Sequence, residues 1–340
     1  MGERIRIRDI ADELGLSTAT VSNVIHGKTK KISEETVKRV QELLEKRGYI
    51  PSMAAVLLAQ NDSRIIGVAI NNHPKYERRV LEDPFVSSSL NALANEIENA
   101  GYFMMVKPTA ECNDIIRYAS MWNMEGLILI GFCESDYQML RDNMRIPFVV
   151  YDGYFEENQR ICNLFVDNYG GGYEMGNYLY RMGHRNVLCI ADNYSCMDKE
   201  RIVGCQAGMR GGKAGFLQIP MLKAERMRFY ERHLEEILTY HTAVFAASDK
   251  YAIELMLFLQ QRKICVPEEL SVAGFDNIPM CENVFPGLTT IGQDVEDRAR
   301  RALAALKDLK EGHCEEPFQI LPVQLVIRGS VKQIAETECE

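Results

Sequence analysis

At 340 residues, with 46% hydrophobic and 26% charged residues, the chain is too long for one compact core, and its composition excludes disordered and collagen-like classes. It has no apolar run of about eighteen residues, and its charged start lacks the apolar core of a secretory signal, so a cytoplasmic protein without a membrane span is expected. The net charge of −9 is unevenly placed: residues 1 to 60 hold ten Lys and Arg against eight Asp and Glu, a balance of +2, leaving 29 against 40, or −11, for the remainder.

Apolar residues at 7, 10, 11 and 14 follow the i, i+3, i+4, i+7 spacing of a short amphipathic helix that Gly15 ends. Ser17 caps a second helix from Thr18 to about Ile25, with Val21, Val24 and Ile25 as its apolar face. A third helix runs from about Glu34 to Arg47 between Ser33 and Gly48, with Val37, Val40, Leu43 and Leu44 inside. Two short helices around a glycine turn, completed by a third, form a helix-turn-helix. The exposed positions of the second helix carry Thr18, Ala19 and Asn23, small or amide-bearing side chains suited to a thymine methyl or an adenine edge. Arg8, Lys28, Lys30 and Lys31 flank them as phosphate contacts.

The string Ile7-Arg-Asp-Ile-Ala-Asp-Glu-Leu-Gly-Leu-Ser-Thr-Ala-Thr-Val-Ser-Asn-Val-Ile-His-Gly resembles the head of the LacI/GalR family of repressors, as does Ile32-Ser-Glu-Glu-Thr with the later Leu-Leu-Glu-Lys-Arg-Gly-Tyr-Ile-Pro. The resemblance implies that Thr18, Ala19 and Asn23 read bases, that Ser17, Thr20, Ser22 and His26 lie near the DNA backbone, and that Val21 and Val24 are core. After Pro51, the apolar stretch Ser52-Met-Ala-Ala-Val-Leu-Leu-Ala-Gln reads by composition as one buried helix of the large domain. The resemblance instead implies a hinge helix that folds on DNA and wedges Leu58 into the minor groove. Val56 and Leu57 depart from the polar or basic residues usual beside that leucine, which weakens the phosphate contacts expected there.

From Arg64 onward apolar strands alternate with helical stretches: Ile65 to Asn71, a helix from Val86 to Ala100, then Tyr102 to Lys107, Gly126 to Gly131 and Ile146 to Tyr151. A second set begins near Leu164 and includes the runs at Val187, Ala243 and Leu270. Repeated β-α-β units imply parallel sheets with helices on both faces, and two such sets imply two lobes with a cleft between them. Strings such as Val166-Asp-Asn-Tyr-Gly-Gly and Val266-Pro-Glu-Glu-Leu-Ser-Val-Ala-Gly-Phe-Asp-Asn extend the resemblance to that family's periplasmic-binding-protein-like sensor. The expected α/β organisation is a head over residues 1–51, a hinge helix over 52–62 and a sensor and dimerisation domain over 63–340. One lobe is expected at about 63–163 and 291–321, the other at about 164–290 and 322–340.

Ligands of such sheets bind beyond the carboxyl ends of the strands. Asp152 and Asp276 each close a strand and are suited to accept sugar hydroxyls; Arg201 opens a helical segment and offers a fork of donors; Phe85, after Asp83-Pro84, can stack on an apolar ligand face. The resemblance places positions matching these four in an effector site. The alternative is that Asp276 caps a helix and Arg201 makes a lobe-stabilising ion pair. Ser248-Asp249 stands where many sugar-responsive members have Asn-Asp, and the loop from Asn71 to Asp83 is longer and more charged than expected.

No G-x-S-x-G, H-E-x-x-H or complete P-loop is present, and Gly208-Met-Arg-Gly-Gly-Lys-Ala reads as a helix end and turn. His184 is placed in a turn before a strand rather than as a catalytic base. The ten cysteines form no C-x-x-C pair, so no metal and no cofactor is assigned. The resulting expectation is a regulator, not an enzyme. It binds double-stranded operator DNA as a homodimer and takes a small effector, of carbohydrate type, in the cleft. The competing class is a solute-binding protein or an enzyme on the same scaffold.

Overall fold

The computed structural model describes residues 5–50, 63–132, 139–140, 142–152, 161–313 and 316–334. The chain divides into two units, residues 1–63 and 64–340. The hinge over 52–62, and Leu58 with it, lies outside the described residues.

In the first unit, helices α1 (Ile7–Leu14), α2 (Thr18–Ile25) and α3 (Glu34–Arg47) enclose Ile10, Ala11, Val21, Val24, Val40 and Leu43. The caps explain the boundaries. Gly15 and Gly48 both take the left-handed conformation that ends a helix (φ 66° and 62°), a region a Cβ disfavours. The Ser17 and Ser33 hydroxyls accept from the Thr20 and Thr36 backbone N–H at 3.1 and 3.3 Å, satisfying donors the first helical turn leaves open.

Among the described residues the second unit has two six-stranded sheets. The first comprises β1 (Ile65–Ile70), β2 (Phe103–Pro108), β3 (Gly126–Ile130), β4 (Phe148–Tyr151), β5 (Ile161–Val166) and β11 (Phe318–Leu321), in the order β11-β5-β4-β3-β1-β2 and parallel throughout. The second comprises β6 (Asn186–Ala191), β7 (Lys213–Gln218), β8 (Ala243–Ala246), β9 (Ser271–Asp276), β10 (Thr289–Gln293) and β12 (Val323–Val326), ordered β12-β10-β9-β8-β6-β7, with only β12 antiparallel to its neighbour. Strands buried on both faces carry continuous apolar runs because helices cover each side.

The chain crosses between sheets after Val166, after Gln293 and after Leu321. The boundaries expected at 163/164 and 290/291 therefore each cut a strand three residues short. Leu164-Phe-Val reads like the opening of a new unit. Its partners, however, are β4 and the distant β11, where Leu164 stands opposite Tyr151 and Gln319. Likewise Ile291 to Gln293 stay paired with β12 of the second sheet.

Helices α4 (Pro84–Asn99) and α10 (Val295–Lys310) cover one face of the first sheet and α5 (Cys112–Met121) the other. On the second sheet, α6 (Asn168–Arg181) and α7 (Cys196–Gly208) lie on one face, α8 (Lys223–Tyr240) and α9 (Asp249–Gln261) on the opposite one. The pair α6 and α7 packs backbone against backbone. A Cβ at Gly172 or Gly176 would overlap the carbonyl oxygen of Arg201 or Cys205, and one at Gly204 or Gly208 that of Tyr169 or Tyr173. Four glycines at i, i+4 spacing on both helices thus set the separation. By contrast, a Cβ at Gly211 meets nothing within 4 Å.

His184 is fully buried in the turn before β6, its Nδ1 2.8 Å from the Thr242 hydroxyl. Burial pushes its pKa down to about 4 from 6.5. An imidazole that resists protonation when folded and accepts it when unfolded costs stability as pH falls from 6.5 towards 4.

Two outcomes follow for urea unfolding monitored by circular dichroism. Gly204→Ala lowers stability by about 2 kcal/mol or more through overpacking against the Tyr169 carbonyl, whereas Gly211→Ala changes it by less than about 0.5 kcal/mol. Between pH 7 and 4.5 the His184 contribution falls as pH falls, so the stability of His184→Gln gains on that of the wild-type chain towards the acid end of this range.

Candidate functional site

On the head, Thr18, Ala19 and Asn23 are exposed along α2, while Val21 and Val24 point into the core. Ser17, Arg8, Lys30 and Lys31 are also exposed, and Thr20, Ser22 and His26 are half-buried. The Ser17 and Thr20 hydroxyls lie 2.8 Å apart at the helix start, so both take part in the cap. Arg8 leans towards Asp12 at 3.7 Å on the solvent side, a weak exposed pair that leaves its charge available. One face of α2 is therefore polar, small-chained and bordered by cations.

In the second unit a cavity of about 320 Å³ lies where the carboxyl ends of both sheets face each other. Strand register explains its walls. Ile70 pairs with Ile130 and Ile130 with Tyr151, which brings Asn71, Gly131 and Asp152 to one edge. Across from them stand Asp192 after β6, Ser248 after β8 and Asp276 at the end of β9. Phe85, Asp152, Arg201, Ser248 and Asp276, singled out from sequence, all line this cavity.

Their surroundings modify the roles expected of them. Arg201 lies in the second turn of α7 rather than opening the helix. Its Nε donates to Asn168 Oδ1 at 2.8 Å, and its Nη1 to the Ala247 carbonyl at 2.7 Å and to Asp276 Oδ1 at 3.1 Å. Of five guanidinium donors, the two on Nη2 make no hydrogen bond among the described residues. The ion pair weighed as an alternative is thus present, formed with Asp276 itself, inside the second lobe and within the cavity wall. Burial pushes the Asp276 carboxyl up to about 8, against the pull of Arg201. Asp152 Oδ1 accepts from the Val166 N–H at 3.2 Å and its Oδ2 pairs with Arg298 at 2.8 Å, so it has only second lone pairs to offer. Ser248, at the N-cap of α9, makes no capping bond with its side chain. Phe85 reaches from the first lobe onto the hydrophobic cluster of the second.

A polar chain crosses between the lobes beneath the cavity. Asp152 pairs with Arg298 on α10; Arg298 Nη1 donates to Gln293 Oε1 at 3.4 Å; Gln293 Nε2 donates to Asp276 Oδ1 at 2.7 Å; and Asp276 meets Arg201. Gln293 is the last residue of β10, at one of the crossings. Nearer the surface, Lys250 on α9 pairs with Asp83, the cap of α4, at 3.1 Å, a second tie between lobes. Asp249, next to Ser248, turns inward and accepts from Thr290 Oγ1 at 2.6 Å and Ile278 N–H at 3.0 Å, fixing the loop after β9.

Sequence reasoning did not single out Asn71, Lys75, Tyr76, Asp192, Asp198 or Tyr251, which also line the cavity. Asn71 and Asp192 follow the last residue of β1 and β6, so the strand-end argument used for Asp152 would have found them. Lys75 and Tyr76 sit in a 3-10 turn, Pro74–Tyr76, within the charged loop after β1.

Residues 6–52 match the family described as bacterial regulatory proteins, lacI family, and residues 177–331 match a periplasmic binding protein-like domain. The chain belongs to the lacI family. The HTH-type transcriptional repressor PurR of Vibrio parahaemolyticus is 29% identical over 96% of this chain and 99% of its own length. The lac repressor dimer bound to operator and the anti-inducer ONPF shares the fold, with a TM-score of 0.82 at 21% identity, covering 97% of this chain and 100% of that one. A lacI-family regulator from Enterococcus faecium with bound ribose has a TM-score of 0.69 at 21% identity, covering 80% of this chain and 100% of that one. Among the described residues of this lacI-family chain, no helix is long and apolar enough to cross a membrane.

Arg201→Met removes the cation beside the buried Asp276 carboxyl and is expected to cost about 3–5 kcal/mol above pH 8, where that carboxyl is charged, and less at lower pH, where it takes a proton; the double variant Arg201→Met/Asp276→Leu recovers much of the loss, as buried pairs replaced by apolar residues do. Chemical denaturation of both variants measures the difference.

Proposed function

We propose that this lacI-family chain is a sequence-specific transcriptional repressor that binds a palindromic operator as a dimer in the cytoplasm and is modulated by a small effector, of carbohydrate type, in the cleft between its lobes. The observation that carries the proposal is the combination, in one chain, of a helix-turn-helix with an exposed reader face and a cavity between two α/β lobes that sets several charged side chains among mainly apolar walls. Thr18, Ala19 and Asn23 then read base edges. Arg8, Ser17, Thr20, Ser22, His26, Lys30 and Lys31 hold the phosphates, and Leu58 enters the minor groove. Phe85, Asp152, Arg201, Ser248 and Asp276 contact the effector. Two heads read two half-sites only when a dimer spaces them by a helical turn, which is why a dimer is required. The ligand acts by favouring one lobe arrangement over another.

Selection of the full chain against a library of palindromic duplexes, followed by anisotropy titration at several salt concentrations, tests the reading. Asn23→Ala is expected to relax preference at one base position, at about 1–3 kcal/mol, whereas Lys30→Ala weakens all sequences alike and lowers the salt slope by about 1. Equal loss on every sequence from both variants would make Asn23 a backbone contact, and no selected sequence at all would end the repressor reading.

A further inference from the structure

The charges around the cavity do not cancel pair by pair. Asp152 is matched by Arg298, Asp276 by Arg201 and Asp83 by Lys250. Left over are Asp192 and Asp198 on the second lobe and Lys75 on the first, all lining the same cavity. Asn193 Nδ2 donates to both carboxylates, at 2.8 Å to Asp192 Oδ1 and 2.7 Å to Asp198 Oδ2, and so fixes them side by side. The second Asp192 oxygen, Oδ2, is buried without a fully formed hydrogen bond among the described residues, although the Tyr251 hydroxyl interacts with this carboxylate; Asn71 Oδ1 and the Tyr151 hydroxyl are buried without a partner around the same space.

Lys75 faces this pair from the opposite lobe. Among the described residues its ammonium has no carboxylate within ion-pairing distance, and its Nζ stands 5.3 Å from the centroid of the Tyr76 ring. Burial alone would lower its pKa, but the Tyr76 phenol and the carboxylates of Asp192, Asp198 and Asp83 hold it above the ordinary lysine value. The ammonium is therefore charged, across a gap from two carboxylates. A group that bridges such a gap must accept from an ammonium and donate to a carboxylate at once, and a hydroxyl does both.

We propose that Lys75 is a specificity-determining residue that, with Asp192, clamps a hydroxyl of an uncharged polyol and makes the cleft a filter against charged ligands. The ammonium repels a cationic group from the carboxylate pair, and the pair repels a phosphate or carboxylate from the ammonium; discrimination of this kind rests on the repulsive element as much as on the attractive one. The inference rests on the cleft being the effector site. Its consequence is asymmetric. Removing Lys75 takes away the cation that acts most strongly on Asp192 and Asp198, leaving Arg201 beside Asp198, so the variant turns towards amines.

The test is calorimetric titration of the full chain with matched sets of probes: D-glucose, D-glucosamine and D-glucose 6-phosphate; D-galactose, D-galactosamine and D-galactose 6-phosphate; D-ribose and D-ribose 5-phosphate. Wild type is expected to bind at least one uncharged member tenfold or more tightly than its charged counterparts. Lys75→Met, checked for folding by circular dichroism, loses that preference and gains affinity for the amino sugar, while Lys75→Arg, which keeps the charge, behaves as wild type. Wild type binding an amine or phosphate as tightly as the uncharged sugar overturns the filter. So does a Lys75→Met profile that matches wild type, including no response from either. Duplex binding by the same wild-type preparation separates the two failures: retained DNA affinity confines the failure to the filter, and its loss overturns the regulator reading.

Discussion

The cleft depends on a buried guanidinium that has to be answered from several directions at once. Arg201 is fixed by Asn168 from α6, by the Ala247 carbonyl at the end of β8 and by Asp276 at the end of β9. A charge removed from water is tolerated only where its hydrogen bonds are complete. Three elements of the second lobe are therefore held in register by one side chain. Through Asp276 and Gln293 the same demand passes to Arg298 and Asp152 in the first lobe, so the polar chain joins the lobes at a crossing. A ligand that adds donors to Asp276 or Asp152 competes directly with the bonds that hold the lobes in this arrangement.

Backbone conformation around these residues reinforces that view. Asp152 (φ 56°), Asp276 (φ 123°) and Asn277 (φ 57°) all take positive φ, where residues other than glycine are strained by roughly 1–3 kcal/mol each. Asp152 is held there by two protein partners and Asp276 by Arg201 and Gln293. The cost is concentrated at the cavity wall, where side chains must project beyond the strand ends. Surrounding structure carries it: Arg226 pairs with Glu254, donates from its Nη1 to the Pro220 and Met221 carbonyls, and lies over the Tyr251 ring, bracing the rim of the same wall.

The head was legible in the sequence because every signal there is local. Ser17, Ser33, Gly15 and Gly48 act within a turn of where they stand, and the observed helices start and stop at them. Strand-end residues such as Asp152 and Asp276 were legible for a related reason, since an apolar run announces its own end. What could not be read depends on partners far along the chain. The assignment of Leu164 to Val166 to the first sheet is decided by β11, about 150 residues later. Lys75 faces Asp192 and Asp198 only because two lobes bring separate loops together, and nothing in either loop names the other. The reciprocal spacing of the glycines of α6 and α7 acquires meaning only once the helices are known to touch.

Those glycines also limit how the sensor can move. Helices whose backbones meet carbonyl to Cα interlock and cannot slide past one another by small steps, so α6 and α7 travel as one piece. Because α6 begins immediately after a crossing and α7 carries Arg201, the interlock joins the arginine to that crossing through packed backbone. The glycine interlock thereby ties the position of the buried guanidinium to the backbone where the chain enters the second lobe, at Asp167.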